Sequence, residues 1–149
     1  MKFLVCVKQV VDTSQMEVDP ATGRLKRNNA NSILNPMDRN ALEAALSLRD
    51  QTGGRVTVIS MGPPQAAAVL KEAISMGADE AYLVTDRAFG GADTLATSYT
   101  LASAIRKIGS FDLIFCGMES IDSNTAQSGP ENAATLGISD VSAAIGLSY

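Results

Sequence analysis

The chain has 149 residues, 46% of them apolar, the size of one ordinary domain (residues 1–149) with ample material for a core. Twelve Lys and Arg against sixteen Asp and Glu leave a net charge of -4, and with no basic cluster longer than Arg24–Arg27 the balance argues against a nucleic-acid partner. There is no His, so the commonest general base and metal ligand are missing; the carboxylates show no metal-ligand spacing, and neither a catalytic nor a metal-binding residue is assigned.

From the N-terminus, KFLVCVKQV (Lys2–Val10) is a strand by its β-branched content and brevity, and it lacks the length and cleavage site of a signal peptide. MEVDPATGRLKRN (Met16–Asn28) has strand-like arms around an Asp-Pro-x-Thr-Gly turn, which predicts a hairpin or a wandering loop. Asn35 as N-cap and Pro36 at the first position open a helix that carries Leu42, Ala45, Leu46 and Leu48 on one stripe and stops at Gly53-Gly54. RVTVISMG (Arg55–Gly62) is a buried strand, and the proline-led run Pro63–Gly77 is a helix with a glycine stop. EAYLVTD (Glu80–Asp86) is the next strand. Gly90–Gly109 is a helix capped by Asp93 or Thr94, with Leu95, Tyr99, Leu101, Ala102 and Ile105 at helical spacing and Arg106-Lys107 near its end. FDLIFCG (Phe111–Gly117), a helix over Thr125–Gly137 and a last strand over Val141–Tyr149 complete a β(hairpin)αβαβαβαβ order.

Continuous apolar strands alternating with helices predict an α/β fold, a doubly wound parallel sheet covered on both faces. No run of eighteen apolar residues is present, so no membrane insertion is expected and the chain reads as cytoplasmic. Cys6 and Cys116 both fall inside apolar strands and are expected as buried free thiols. Ligands of such sheets bind beyond the carboxyl ends of the strands, beside helix N-termini. The turns at those positions contain neither GxGxxG nor GxxxxGK[ST], which disfavours a standard dinucleotide or P-loop site. They are rich instead in glycine, hydroxyl and amide residues, which can wrap a diphosphate with neutral donors and a helix dipole.

VCVKQVVDT (Val5–Thr13), LNPMDRNALEAAL (Leu34–Leu46), ISMGPPQA (Ile59–Ala66), MGADEAYLVTDRAFGGADTLATSYTLA (Met76–Ala102) and DLIFCGMESIDSNTAQSGP (Asp112–Pro130) resemble, in order and spacing, the β subunit of electron transfer flavoproteins. The resemblance implies a three-layer α/β/α domain related to universal stress proteins that binds an adenine nucleotide. That ligand is AMP in the housekeeping branch and FAD in the branch that bifurcates electrons. The stretch from Asp86 to Ala102 looks like the bifurcating kind, its glycines, among them Gly91, leaving room for FAD beside Asp93, Thr94 and Thr97. By the same resemblance the nucleotide site comprises Cys6 (backbone), Asn35, Met61, Gly62, Asp122, Thr125, Ala126, Gln127 and Ser128. The chain departs from the family at Ser123, Asn124 and Ser128, and GMES (Gly117–Ser120) replaces a more usual Gly-Lys/Met-Gln-Ala.

The implied partner is an electron transfer flavoprotein α subunit. Through the heterodimer come acyl-CoA dehydrogenase and NADH with ferredoxin or flavodoxin. Family β subunits continue past Tyr149, so a fragment, truncated product or split paralogue is expected. The rival readings are a nucleotide-sensing module of universal-stress-protein type without a redox role, and a structural fragment that self-associates.

Overall fold

The fold, taken from a computed structural model, is described for residues 1–12, 18–23, 31–122 and 125–148. In chain order its elements are β1 (Lys2–Cys6), β2 (Gln9–Val11), β3 (Ser32–Leu34), α1 (Pro36–Thr52), β4 (Arg55–Met61), α2 (Ala67–Met76), β5 (Glu80–Val84), α3 (Thr94–Ile108), β6 (Leu113–Cys116) and α4 (Ser128–Leu136). Short 3₁₀ turns precede α2 (Pro64–Ala66) and follow β5 (Arg87–Phe89).

Four strands form a parallel sheet in the order β5-β4-β1-β6, so the expected doubly wound α/β class is what forms. Strand residues alternate between its two covered faces. Phe3, Val5, Val56 and Val58 pack with Leu42, Ala45, Leu46 and Leu48 of α1 and Val69, Leu70 and Ala73 of α2. Leu4 and Ile59 point the other way, into a smaller core with Leu101 and Ile105 of α3 and Leu136 of α4. Burial on both faces is why these strands read as unbroken apolar runs, each large side chain removed from water contributing roughly 1.5–3 kcal/mol. The sheet winds outward from β1 through β4 to β5, then returns to place β6 on the other side of β1. A crevice therefore opens at the carboxyl ends of β1 and β6, where the winding reverses.

Several expectations need correction. The strand Lys2–Val10 is broken: Val7 N–H still donates to Ile59 O at 2.9 Å, but Lys8 N–H donates to the Asp38 carboxylate at 2.9 Å. That leaves Gln9–Val11 to pair antiparallel with Ser32–Leu34 in a separate two-stranded sheet. The Asp-Pro turn forms, closed by Gly23 N–H to Asp19 O at 2.8 Å with Gly23 at φ 64. Of the arms expected within Met16–Asn28, residues 16–17 and 24–28 lie outside the described residues. Leu95 and Tyr99 are two-thirds exposed on α3; fully buried Ser98 takes their place in its inward stripe. The cap of α3 is Asp93, whose carboxylate accepts from Ala96 N–H at 2.7 Å. The last strand does not form: residues 141–148 are irregular and exposed. A strand needs a ladder partner for its N–H and C=O groups, and this segment joins no strand of the sheet.

Candidate functional site

The crevice is a cleft of about 1210 Å³. Every turn at the carboxyl edge of the sheet contributes to its walls: Cys6–Lys8 after β1, Met61–Pro64 after β4, Thr85–Arg87 after β5, and Cys116–Ser120 after β6. The first turns of the helices supply the rest, with Asn35 and Asp38 at α1, Asp93, Thr94 and Thr97 at α3, and Gln127, Ser128 and Asn132 at α4. Unpaired N–H groups and positive dipole ends converge there, although the chain as a whole is acidic.

Of the residues expected from sequence, Cys6, Asn35, Met61, Gly62, Asp93, Thr94, Thr97, Thr125, Ala126, Gln127 and Ser128 line this cleft. Gly91 (φ 76) does not, and neither does Asp122. Asp122 holds the Lys8 ammonium at 2.8 Å and accepts from Ser120 Oγ at 2.7 Å. Burial opposes the Asp122 charge, but the Lys8 and Ser120 bonds outweigh it and hold the carboxyl below its ordinary range. Ser123 and Asn124 lie outside the described residues.

Asn35 occupies the N-cap position without capping α1 with its side chain. Its amide, 1% exposed, instead donates to Glu119 O at 2.8 Å and accepts from Ile121 N–H at 3.2 Å. Asn35 thus fixes the polar turn after β6 against the start of α1. Farther along that turn, Ala126 sits at φ 52 on the cleft wall. A left-handed alanine costs on the order of 1 kcal/mol or more, strain of the kind that collects at binding sites.

Among the lining residues that the sequence reading did not assign to the site, three bear most on its chemistry. Lys8 carries a cation into the cleft from the end of β1, where the sequence shows only one charge after an apolar run. Asp38 looks like an ordinary acidic residue of a first helical turn, yet it is 7% exposed and accepts from Lys8 N–H and, at 3.1 Å, from Gly117 N–H. It clamps the ends of β1 and β6 together at the reversal point. Burial raises its pKa to about 6 despite the opposing bonds from Lys8, Asn35 and Gly117. Asn132, on the cleft wall, is 3% exposed, and its buried Oδ1 has no hydrogen-bond partner among the described residues. Nothing in the helical run around it marks it.

Glu131 joins the two helices on this side of the sheet, accepting from Thr94 Oγ1 and Ser98 Oγ at 3.2 Å each. Thr94 therefore already spends its one hydroxyl proton, and Thr97, one turn on, is the better placed donor toward a ligand. Glu131→Ala strands the fully buried Ser98 hydroxyl. It is expected to lower unfolding free energy by about 1–3 kcal/mol in urea titration, with little change in m-value. A midpoint equal to that of the wild type would show that this clasp carries no stability.

No group of three or more His, Cys, Asp or Glu among the described residues can hold a metal, and none of their helices is long and apolar enough to cross a membrane.

Comparison with known proteins gives one consistent set of relatives. The profile of the electron transfer flavoprotein domain matches residues 22–149. The chain is 58% identical over 141 residues to the electron transfer flavoprotein subunit beta of Clostridium acetobutylicum, covering 95% of this chain and 54% of that one. It is 55% identical over 137 residues to the caffeyl-CoA reductase-Etf complex subunit CarD of Acetobacterium woodii, covering 91% and 52%. Protein FixA of Azorhizobium caulinodans is 52% identical over 142 residues, covering 93% and 50%. The chain thus spans about half the length of the curated relatives it matches.

Proposed function

Because the chain belongs to the electron transfer flavoprotein family, we propose that it is the nucleotide-binding part of a β subunit, holding FAD in the cleft at the reversal point of its sheet. The observation that carries this reading is the convergence on one cleft of the turns after β1, β4, β5 and β6 and the starts of α1, α3 and α4. Such a wall suits a phosphate-bearing nucleotide, which backbone N–H groups and helix dipoles bind without a cationic cluster.

The residues fit that ligand in a second respect. The open Asn132 Oδ1 needs a donor, and a nucleotide offers one in its sugar or ribityl hydroxyls, or in the adenine amino group. Cleft size supports the larger of the two candidate nucleotides. At about 1210 Å³ it exceeds the roughly 300–1,000 Å³ of ordinary small-ligand pockets, which favours FAD over AMP. Gln127, Ser128 and Thr125 would face phosphate, Thr97 the bridge or ribityl chain, and the Cys6 backbone the adenine. Bound flavin supplies the electron chemistry. The protein's own residues bind and orient it: Asn35 and Asp38 hold the turn after β6 in place, and Lys8, neutralised by Asp122, keeps one cation at the edge.

The proposed partner is an α subunit carrying another flavin. The heterodimer would draw on NADH and serve ferredoxin or flavodoxin and an acyl-CoA dehydrogenase, in the cytoplasm. The relatives' names favour this over the sensor module. The visible spectrum of the protein purified with its α partner tests it. Two flavins per heterodimer support FAD here, one flavin with AMP supports the housekeeping alternative, and no flavin with ATP retained would sink the electron-transfer reading. Thr97→Val sharpens the choice: it is expected to weaken FAD about five- to tenfold, the worth of one hydrogen bond, and AMP less than twofold. Equal loss of both, or of neither, removes Thr97 from a FAD-specific role.

A further inference from the structure

Cys6 ends β1 and Cys116 ends β6, and the parallel register places them directly opposite each other. Adjacent strands run about 4.8 Å apart, inside the roughly 4.4–6.8 Å Cα separation that a disulfide spans. The pleat sends both side chains to the same face. Leu4 and Ile114, two residues before each cysteine, pack in the α3/α4 core, whereas Val5 and Phe115 pack in the other. Both cysteines are free, half-buried rather than sealed in the core, and both line the cleft. They are the only cysteines of the chain.

We propose that Cys6 and Cys116 form a redox-active dithiol on the cleft wall, which a low-molecular-weight disulfide such as glutathione disulfide converts to a cross-strand Cys6–Cys116 disulfide. Two cysteines set face to face in register at an open cleft have a geometry that isolated core thiols lack. The Cys6 thiol beside it holds the Cys116 pKa down against burial and the Asp38 charge, while the neighbouring Cys116 and burial raise that of Cys6. Cys116 is accordingly the attacking sulfur and Cys6 the resolving one. The Cys116 thiolate attacks one sulfur of the small disulfide, breaking its S–S bond, forming a mixed disulfide and expelling one thiolate, which takes up the proton Cys116 gave away. The Cys6 sulfur then attacks the Cys116 sulfur, forms the internal bond and expels the second thiolate, which leaves with the Cys6 proton. The protein loses two protons and two electrons; the small disulfide is reduced to two thiols.

Thiol counting and intact-mass measurement on the full chain in glutathione redox buffers test this, with folding followed by circular dichroism. The expected result is a fall from two free thiols to none, with the monomer lighter by two hydrogens and no glutathione attached. Cys6→Ser should trap a stable glutathione adduct on Cys116, and Cys116→Ser should react at least about tenfold more slowly. Folded wild type that keeps both thiols in buffer that oxidises the urea-unfolded chain would overturn the proposal. So would wild type that accumulates glutathione adducts or disulfide-linked dimers instead of the internal bond. If either serine variant fails to fold, the wild-type mass still decides.

Discussion

Gly117→Ala is expected to cost about 3 kcal/mol or more, among the largest effects of any single methyl group added to this chain. A Cβ at Gly117 would stand 2.8 Å from both Asp38 N and Met37 C, and closer still to Asp38 Oδ1. These are backbone atoms of the first turn of α1 and a carboxylate already engaged by two N–H groups, so nothing nearby is free to yield. Either β6 moves away from α1 or the Asp38 clamp breaks, and in both cases the cleft wall goes with it. Urea unfolding of Gly117→Ala beside Gly146→Ala isolates the cause. Gly146 has no atom within 4 Å of its would-be Cβ and no left-handed backbone, so that variant should stay within about 0.5 kcal/mol of wild type. A Gly117→Ala protein as stable as Gly146→Ala would contradict the close approach of β6 to α1.

The second large effect is a dependence on pH centred on Asp38. Its carboxyl titrates near 6 in the folded protein against 3.8 ordinarily, a difference worth roughly 3 kcal/mol. The folded state therefore holds the proton more tightly than the unfolded chain between these values, and stability attributable to Asp38 rises as pH falls through 6, complete near 3.8. Asp38→Asn removes the titration. Measured at pH 7 and again at pH 4, the stability of wild type relative to the variant should increase by roughly 2 kcal/mol toward the acid side. Other carboxylates are common to both proteins and cancel. Asp122 acts the opposite way and lower, since its depressed pKa withdraws stability only as pH falls below 3.8. A relative stability that is flat, or that falls on acidification, would show that Asp38 is not held against its charge.

Much of this architecture was legible along the chain. Pro36 and Gly53 bracket α1, Gly77 ends α2, and Asp93 caps α3 because those residue types satisfy or release backbone groups locally. The turn from Asp122 to Ser128 announced itself by composition, and Thr125 to Ser128 do line the cleft. Leu95 and Tyr99 misled because helical spacing identifies a stripe without saying which stripe faces the sheet, and Ser98 turned inward to meet Glu131. Val141–Tyr149 misled because apolar alternation measures a tendency toward strand, while a strand exists only where a neighbour completes its hydrogen bonds.

Asp38 and Lys8 show the limit more sharply. Thirty residues separate them, and 79 separate Asp38 from Gly117. No local pattern reports a contact whose partners meet only after β6 has been laid beside β1. The same holds for Asn35, which the chain presents as a cap and the fold uses to tie down Glu119 and Ile121. By itself the sequence determined the alternation of strands and helices, the family, and the polar turns at the carboxyl edge, because these follow from periodicity and short-range hydrogen bonding. Only the tertiary structure decided that a carboxylate would be buried at the reversal point, that Asn132 on the cleft wall would bury an unpaired oxygen, and that Cys6 would stand opposite Cys116. Each depends on strand order and register, which are settled by packing across the whole sheet.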